Sequence, residues 1–337
     1  MKIAVLSPVA WRTPPEHYGP WEQIAYNIAE GIYKRGLDVT LFATKNSFSS
    51  AKVDGVIERG YEEDKTADAK VVECLHISYL MEQASSFDII HNNFDFLPLT
   101  YSRLIKTPML TTIHGFSSEK IIPVYKKYND TSYYVSISNA DRSPLLKYIA
   151  TVYHGIQKEN FNYVETPKDY LLFFGRIHPH KGTYDAIQIA KQTKKQLIIA
   201  GIIQDAAYYE EKIKPLINND DIIFAGHADA EKRKELLGNA AALLHPIYFN
   251  EPFGLSVAEA MFCGTPVIAY NRGSMPELIQ NNLSGFLVDN MDEAIEAVKK
   301  ISTINRNSCY EYATQKFSYE KMIDEYIEVY EKILAEK

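Results

Sequence analysis

Cysteine is scarce in this sequence. The 337 residues include three cysteines, Cys74, Cys263 and Cys309, which lie far apart. No Cys-x-x-Cys pair occurs, so neither a disulfide framework nor a thiolate zinc site is predicted. This cysteine usage fits a reducing compartment, and we expect a cytoplasmic protein.

Long apolar runs and an excess of basic residues are also missing. No apolar stretch reaches the roughly 18 residues that a membrane-spanning helix needs, and Met1–Ala10 is more typical of a buried strand than of a signal peptide. The 36 basic and 43 acidic residues give a net charge of −7, which argues against nucleic-acid binding as the main function. Neither half has a Gly-x-Gly-x-x-Gly after its first strand, which argues against an NAD-dependent enzyme.

The sequence does contain an alternation of strands and helices. Lys2–Leu6 is a continuous apolar run, Ser7–Pro20 a loop, Trp21–Arg35 an amphipathic helix and Asp38–Ala43 a second strand. Such βαβ units predict an α/β protein with parallel sheets, whose ligands bind beyond the carboxyl ends of the strands. The length predicts two domains.

The most informative stretch is residues 245–270, HPIYFNEPFGLSVAEAMFCGTPVIAY. It predicts a loop with Glu251, a helix that starts at Phe253–Leu255 and carries Glu259, and then a strand. A helix start attracts phosphate through its free N–H groups and partial positive charge, and Gly254 lets the backbone approach a ligand closely. Two carboxylates that flank an anion site suit the hydroxyl groups on either side of a diphosphate, as in a nucleotide sugar.

A second motif, GRIHPHKG at residues 175–182, follows a predicted strand. Arg176 offers a planar fork to phosphate oxygens and Lys181 a compact charge. A solvated basic loop is the alternative interpretation. His178 and His180 could begin a metal site, but no third ligand is evident nearby, so we predict none.

Both motifs resemble the donor-site signature of retaining glycosyltransferases of family 4, also called glycosyl transferases group 1. The family's E-P-F-G-L, E-A-M and C-G-T-P-V-I-A segments are matched at 251–255, 259–261 and 263–269, and its G-R…K-G segment at 175–182. The family usually has an acidic residue where Pro179 stands. The resemblance covers essentially the whole chain, with its specific motifs in the second half.

The resemblance implies the GT-B fold, with two Rossmann-like domains that face each other across a cleft. We expect an N-terminal acceptor domain at 1–165, a C-terminal donor domain at 166–316 and a final helix at 317–337 that packs back on the first domain.

The resemblance also implies roles for individual residues. Arg176 and Lys181 would neutralise the diphosphate, while Glu251 would orient the sugar hydroxyls and Glu259 the ribose. His114, in a T-x-H-G segment, would lie near the reacting end of the sugar and complete a catalytic set with Glu251, Arg176 and Lys181. Further donor contacts are expected at Gly19, Gly226, His227, Phe253, Gly254 and Leu255.

Acceptor contacts are expected at Arg12, His17 and His91. The first two lie in the loop Ser7–Pro20, which in the family is usually glycine-rich and here keeps Gly19 among aromatic residues. The alternatives are an aromatic loop that only packs on the sheet and histidines with structural hydrogen bonds.

The implied reaction moves a hexose from a UDP- or GDP-sugar to a saccharide, a lipid-linked or a small-molecule acceptor with α configuration, without a metal cofactor. The alternatives are an enzyme like a nucleotide-sugar 2-epimerase and a pseudoenzyme that binds a nucleotide sugar. The segment Lys120–Tyr128 mixes apolar, aromatic and basic residues, so contact with a membrane surface is a further alternative. We expect no nucleic-acid partner.

Overall fold

The computed structural model describes residues 1–16, 19–116 and 118–336, and the predicted acceptor residue His17 lies outside them. The chain forms two compact units. Unit 1 consists of Met1–Ile137, Arg142–Tyr153 and the residues from Glu320 onward, and unit 2 of Ser138–Asp141 and His154–Tyr319. Each unit has a parallel sheet with helices, as the βαβ pattern predicts.

Among its described residues, unit 1 has seven strands and three helices before its final segment. The strands are β1 (Lys2–Leu6), β2 (Asp38–Phe42), β3 (Lys52–Asp54), β4 (Ile89–Asn92), β5 (Met109–Ile113), β6 (Tyr133–Ser136) and β7 (Tyr148–Thr151). The helices are α1 (Pro20–Lys34), α2 (Ala69–Glu82) and α3 (Ile122–Lys127). The strand order is β3-β2-β1-β4-β5-β6-β7, so the order reverses between β1 and β4.

The apolar runs explain this sheet. Residues 3–6 of β1 are fully buried, because a parallel strand is covered on both faces. The predicted face of α1, formed by Ile24, Ile28 and Ile32, is buried as well. Pro20 begins α1, where a missing N–H costs no helical hydrogen bond.

Unit 2 repeats this architecture with six strands in its described residues. They are β8 (Tyr170–Phe174), β9 (Gln196–Ala200), β10 (Ile222–Gly226), β11 (Ala242–His245), β12 (Val267–Tyr270) and β13 (Gly285–Val288). The helices are α4 (Thr183–Thr193), α5 (Ala206–Tyr208), α6 (Ala230–Asn239), α7 (Leu255–Phe262), α8 (Met275–Leu278), α9 (Met291–Lys300) and α10 (Arg306–Phe317). The order β10-β9-β8-β11-β12-β13 reverses between β8 and β11.

The final helix, α11 (Tyr319–Ala335), belongs to unit 1 from Glu320 onward. Tyr326 and Tyr330 are fully buried there. The Tyr330 hydroxyl lies 2.6 Å from His91 Nδ1 and the Tyr326 hydroxyl 3.0 Å from Thr112 Oγ1. The last helix therefore completes the core of unit 1.

The structure moves the predicted domain boundary from 165/166 to 153/154. The sequence places the change of domain in the polar segment at residues 160–168, but backbone before and within this segment is bonded within unit 2. Ile156 N donates to Phe317 O at 2.8 Å and Val164 N to Cys263 O at 3.1 Å. Arg306 Nε donates to Val164 O at 2.7 Å.

Two helix predictions were incomplete, and one helix was not predicted. The sequence predicts one helix over 205–216, but the chain keeps the α form only in α5 and then passes through a π-type turn and a 3₁₀ turn that contains Pro215. The helix predicted for 317–334 is divided from α10 by the extended residue Ser318. The sequence did not indicate α2, whose Val71 and Leu75 are apolar and exposed. Within the described part of the chain, no helix has the length and apolar character needed to cross a membrane.

Candidate donor site in unit 2

The predicted donor residues lie around the point where the strand order of the second sheet reverses. The neighbouring strands β8 and β11 pair in parallel, with Leu172 opposite Leu243. Their following connections lead to opposite sides of the sheet. The loops at 175–182 and 246–254 therefore border a crevice at the carboxyl edge, which is where ligands bind in open α/β sheets.

These two loops pack closely at Gly182. This residue has φ +73°, and a Cβ atom there would lie 1.9 Å from the carbonyl oxygen of Pro246. Only glycine fits this contact. Tyr248 N also donates to His180 O at 2.7 Å, so the loop that carries Lys181 is held against the loop that carries Glu251.

Lys181 and Glu251 form an ion pair in this crevice. Lys181 Nζ lies 2.5 Å from Glu251 Oε2, and each side chain is 14% exposed. The same Nζ lies 4.6 Å from the centre of the Phe249 ring. His245, at the end of β11, places Nε2 3.6 Å from Glu251 Oε2, and burial lowers the pKa of His245.

The surroundings of Glu251 keep it ionised. Burial raises its pKa, but the interactions with His245 and the charge of Lys181 outweigh burial and lower the pKa to about 2. A carboxylate with a lowered pKa stabilises the fold above its ordinary pKa, and this contribution is lost as the pH falls toward the folded-state value.

We therefore expect a pH-dependent difference in stability between the wild-type protein and Glu251→Gln. The wild type should be more stable by about 3 kcal/mol at pH 7, and the difference should shrink as the pH falls from 4.5 toward 2. Chemical unfolding of both proteins across this range measures it. A difference that stays constant down to pH 3 would show that the charge of Glu251 does not stabilise the fold.

Arg176 lies in the same loop, and its side chain is partly exposed. One guanidinium nitrogen, Nη1, donates to Gln204 Oε1 at 2.8 Å. The pKa of His178 is lowered, first by burial and then by its positive neighbours His180, Arg176 and Lys181. The loop is therefore a region of positive potential that suits an anionic ligand.

The start of α7 adds to this potential. Its N-cap residue is Gly254, which supplies no capping side chain, and Leu255 is partly exposed at the first helical position. The Phe253 side chain is buried 5.2 Å from the His154 ring and 5.8 Å from the Phe317 ring. Its carbonyl oxygen accepts a hydrogen bond from Ser274 Oγ at 2.6 Å. Phe253 therefore anchors the helix start, and its part in donor binding remains a prediction.

Gly273 supports Glu251 and was not predicted. It has φ +55°, and a Cβ atom there would lie 2.4 Å from the backbone nitrogen of Glu251. Ser274 N donates to Glu251 O at 3.0 Å. In the sequence, Gly273 stands just before a helix predicted to open at Pro276. Only the fold shows that this glycine contacts the loop of Glu251.

Glu259, the predicted ribose ligand, already has a partner. Its buried carboxylate forms an ion pair with the guanidinium group of Arg233, whose Nε lies 3.0 Å from Oε2. The guanidinium carbon lies 5.6 Å from the Phe161 ring and 6.0 Å from the Phe174 ring. Arg233 was missed because it lies on α6, away from any motif, and no local pattern indicates its pairing with α7.

Gly226 and His227 lie at the end of β10, on the same edge of the sheet. Gly226 O accepts a hydrogen bond from Gly201 N at 2.8 Å, and His227 is exposed. Their donor contacts remain predictions. In the described residues, no group of three or more histidine, cysteine, aspartate or glutamate side chains is arranged to hold a metal ion.

Other predicted residues lie in unit 1. His114 Nε2 lies 3.0 Å from Asn93 Oδ1, and its ring stacks on Trp21 at 5.9 Å between centres. Gly19 is the N-cap of α1, and the guanidinium carbon of Arg12 lies 5.5 Å from the centre of the Phe48 ring. The roles of His114, Gly19 and Arg12 remain predictions.

His91 has a structural role instead of the predicted acceptor contact. It is fully buried, with Nδ1 2.6 Å from the Tyr330 hydroxyl and Nε2 2.8 Å from Thr112 Oγ1. Both ring nitrogens are therefore engaged inside unit 1, and burial lowers the pKa of His91 to about 3. The prediction failed because the end of a strand was taken for an exposed position, although α11 covers it.

Comparison with known proteins shows which protein family the donor-site region resembles. Residues 156–321, which contain every donor residue described in unit 2, match the family model described as "Glycosyl transferases group 1". The second half of the chain belongs to this family. The match includes both carboxylates and both cations that the motifs indicated.

Two relatives align with different shares of this chain. An uncharacterized 41.2 kDa protein in the cps region of Klebsiella pneumoniae is 30% identical over 182 residues, which are 52% of this chain and 49% of that protein. The chain thus aligns with about half the length of this relative. The O-antigen chain mannosyltransferase C of Escherichia coli is 22% identical over 96% of this chain and 97% of its own.

The solved structures extend the likeness to both units. HepE of Anabaena in complex with UDP superimposes with a TM-score of 0.74 at 17% identity, over 98% of this chain and 100% of the other. The same protein has been solved in complex with UDP-glucose. With a parallel sheet in each unit, this likeness shows the GT-B fold.

Proposed function

We propose that this protein is a retaining glycosyltransferase of group 1 that works in the cytoplasm. It moves a hexose from a nucleoside diphosphate sugar to an acceptor hydroxyl and forms an α-glycosidic bond. The donor is a UDP- or GDP-sugar, and the acceptor is a saccharide, a lipid-linked or a small molecule.

The observation that carries the proposal is the Lys181–Glu251 pair at the reversal point of the second sheet. Lys181, Arg176 and the uncapped start of α7 supply positive potential where a diphosphate would bind. The leaving diphosphate gains negative charge during transfer, and positive groups fixed beforehand stabilise that charge without reorganisation. Glu251 would then hydrogen-bond the sugar hydroxyls while Lys181 turns to the phosphate.

The relatives support a nucleotide-sugar donor. HepE has been solved with UDP and with UDP-glucose, and one full-length relative is named a mannosyltransferase. The UDP-glucose complex supports a hexose on a nucleoside diphosphate as the donor, and the name mannosyltransferase supports a hexose. We propose that Arg176 and Lys181 neutralise the diphosphate and that no metal cofactor is required.

A thermal-shift screen over UDP- and GDP-hexoses tests the proposal, because a ligand that binds only the folded protein raises the melting temperature. Hits are then incubated with saccharide acceptors, and NMR reads the anomeric configuration of the product. We expect one base to be preferred, an α-linked product and equal turnover with EDTA. A screen without hits, a β-linked product or a loss of turnover in EDTA would each contradict a stated part.

Glu259→Ala tests the ribose role. We expect it to weaken the binding of UDP or GDP by about 1.5–3 kcal/mol, the range of hydrogen bonds to a charged group. Titration calorimetry measures the change, and Glu235→Ala, an exposed position on α6, is the matched control. Arg233→Ala removes the partner but leaves the carboxylate, so it should retain more affinity than Glu259→Ala. Equal losses would show that Glu259 acts only as the partner of Arg233.

A further inference from the structure

Basic side chains are concentrated at the amino edge of the first sheet, opposite the carboxyl edge that carries His114. The segments that precede the adjacent strands β5, β6 and β7 contribute five cations. We call them the basic surface: Arg103, Lys106, Lys126, Lys127 and Lys147, all exposed. This local excess of positive charge is unusual in a chain with a net charge of −7, and it indicates an anionic partner.

Acidic groups compensate little of this charge. Among the described residues, Lys147 is the member of the basic surface that has an ion-pair partner, Asp130 at 2.6 Å. Glu336 lies near this edge, beside Tyr133. The charge of Arg103 also acts on Asp130, so Lys106, Lys126 and Lys127 are the cations whose charge an external anion could neutralise.

Two of the cations are held close together by the fold. Arg103 and Lys127 both contact the buried ring of Tyr128, at 5.6 Å and 5.2 Å from its centre. Arg103 Nη2 also donates to Lys127 O at 3.1 Å. Two positive charges are thus held near one ring, which favours a ligand with more than one negative charge.

Exposed leucines accompany these cations. Leu104, next to Arg103, is 78% exposed, and Leu145, near Lys147, is 53% exposed. By contrast, Tyr125 and Tyr128 of the Lys120–Tyr128 segment are buried. The most exposed large apolar side chains here are therefore the two leucines, while Ile121, Ile122 and Val124 of the segment are partly exposed.

We propose that the basic surface binds the face of an anionic lipid bilayer. Lysine and arginine side chains near anionic headgroups gain electrostatic energy, and leucine side chains between them can enter the boundary between headgroups and acyl chains. A nucleic acid or an acidic protein would satisfy the cations but would not require aliphatic side chains at their outer edge. Binding at this edge leaves the carboxyl edge of the sheet open.

Vesicle sedimentation of the full chain tests this proposal without an activity assay. Vesicles of phosphatidylcholine alone are compared with vesicles that contain roughly 30 mol% phosphatidylglycerol, at about 0.1 M and about 0.5 M NaCl. We expect binding only to the anionic vesicles and a strong decrease at high salt. Lys126→Gln/Lys127→Gln should weaken binding roughly tenfold or more, and Leu104→Ser should weaken it at both salt concentrations.

The matched control is Lys299→Gln/Lys300→Gln, which removes two exposed charges from α9 in unit 2 and should leave binding unchanged. Equal binding to neutral and anionic vesicles, an equal loss in both double variants, or retention on heparin without vesicle binding would each overturn the proposal. None of these results bears on donor binding, which the nucleotide screen tests separately.

Discussion

Lys181→Ala should lower kcat by about 100- to 1,000-fold, the usual cost of removing one group that stabilises developing charge. The substitution also leaves Glu251 in a largely buried site without its cation, so the melting temperature should fall as well. Turnover must therefore be measured well below the melting temperature. Lys191→Ala, an exposed position on α4, is the control that should behave as wild type.

A second variant separates the catalytic role of Lys181 from the structural one. Lys181→Ala/Glu251→Gln removes the unpaired Glu251 carboxylate together with the lysine. It should therefore recover much of the stability that Lys181→Ala loses. It should still turn over more slowly than Glu251→Gln alone, because the diphosphate lacks its cation. If turnover returned with stability, Lys181 would only hold the fold and the proposed mechanism would be wrong.

Arg306→Ala should strongly destabilise unit 2. The Arg306 guanidinium group is buried and donates to the carbonyl oxygens of Val164, Ala240 and Gly238 at 2.7–2.9 Å and to Thr265 Oγ1 at 2.8 Å. Alanine would leave these acceptors buried and unpaired, at about 1–3 kcal/mol for each one that water cannot reach. We expect a loss of about 3–5 kcal/mol and a melting temperature lower by roughly 10 °C.

Two comparisons check the origin of this loss. Arg306→Lys keeps the charge but cannot reach four acceptors, so most of the stability should still be lost. Arg35→Ala breaks an exposed ion pair with Asp324 and should cost less than about 1 kcal/mol. Unfolding curves in urea give the free energy of unfolding of each variant. Similar losses for Arg306→Ala and Arg35→Ala would mean that the buried hydrogen bonds contribute little.

Local patterns predicted the elements that are specified by nearby residues. The strand at Lys2–Leu6 and the buried face of α1 follow from the spacing of apolar residues, and the start of α7 follows from Gly254 and its neighbours. The fold class followed from the succession of such elements together with the family resemblance.

Contacts between distant residues could not be predicted in this way. The pairing of Arg233 with Glu259, the support of Glu251 by Gly273 and the burial of His91 under α11 each depend on which elements become neighbours in three dimensions. Glu259 illustrates the limit: its motif predicts a ribose ligand, and only the structure shows that this carboxylate is paired with Arg233.

The hydrogen bond between His91 and Tyr330 joins residues 239 positions apart, and this separation has a consequence for synthesis. The ribosome makes most of unit 1 before unit 2, but it makes the α11 side chains that complete the interior of unit 1 only after unit 2. Unit 2 can finish folding while the nascent N-terminal half still exposes apolar surface. Chaperones should therefore bind this half during translation, and stop codons placed before residue 320 should yield a protein whose N-terminal portion aggregates.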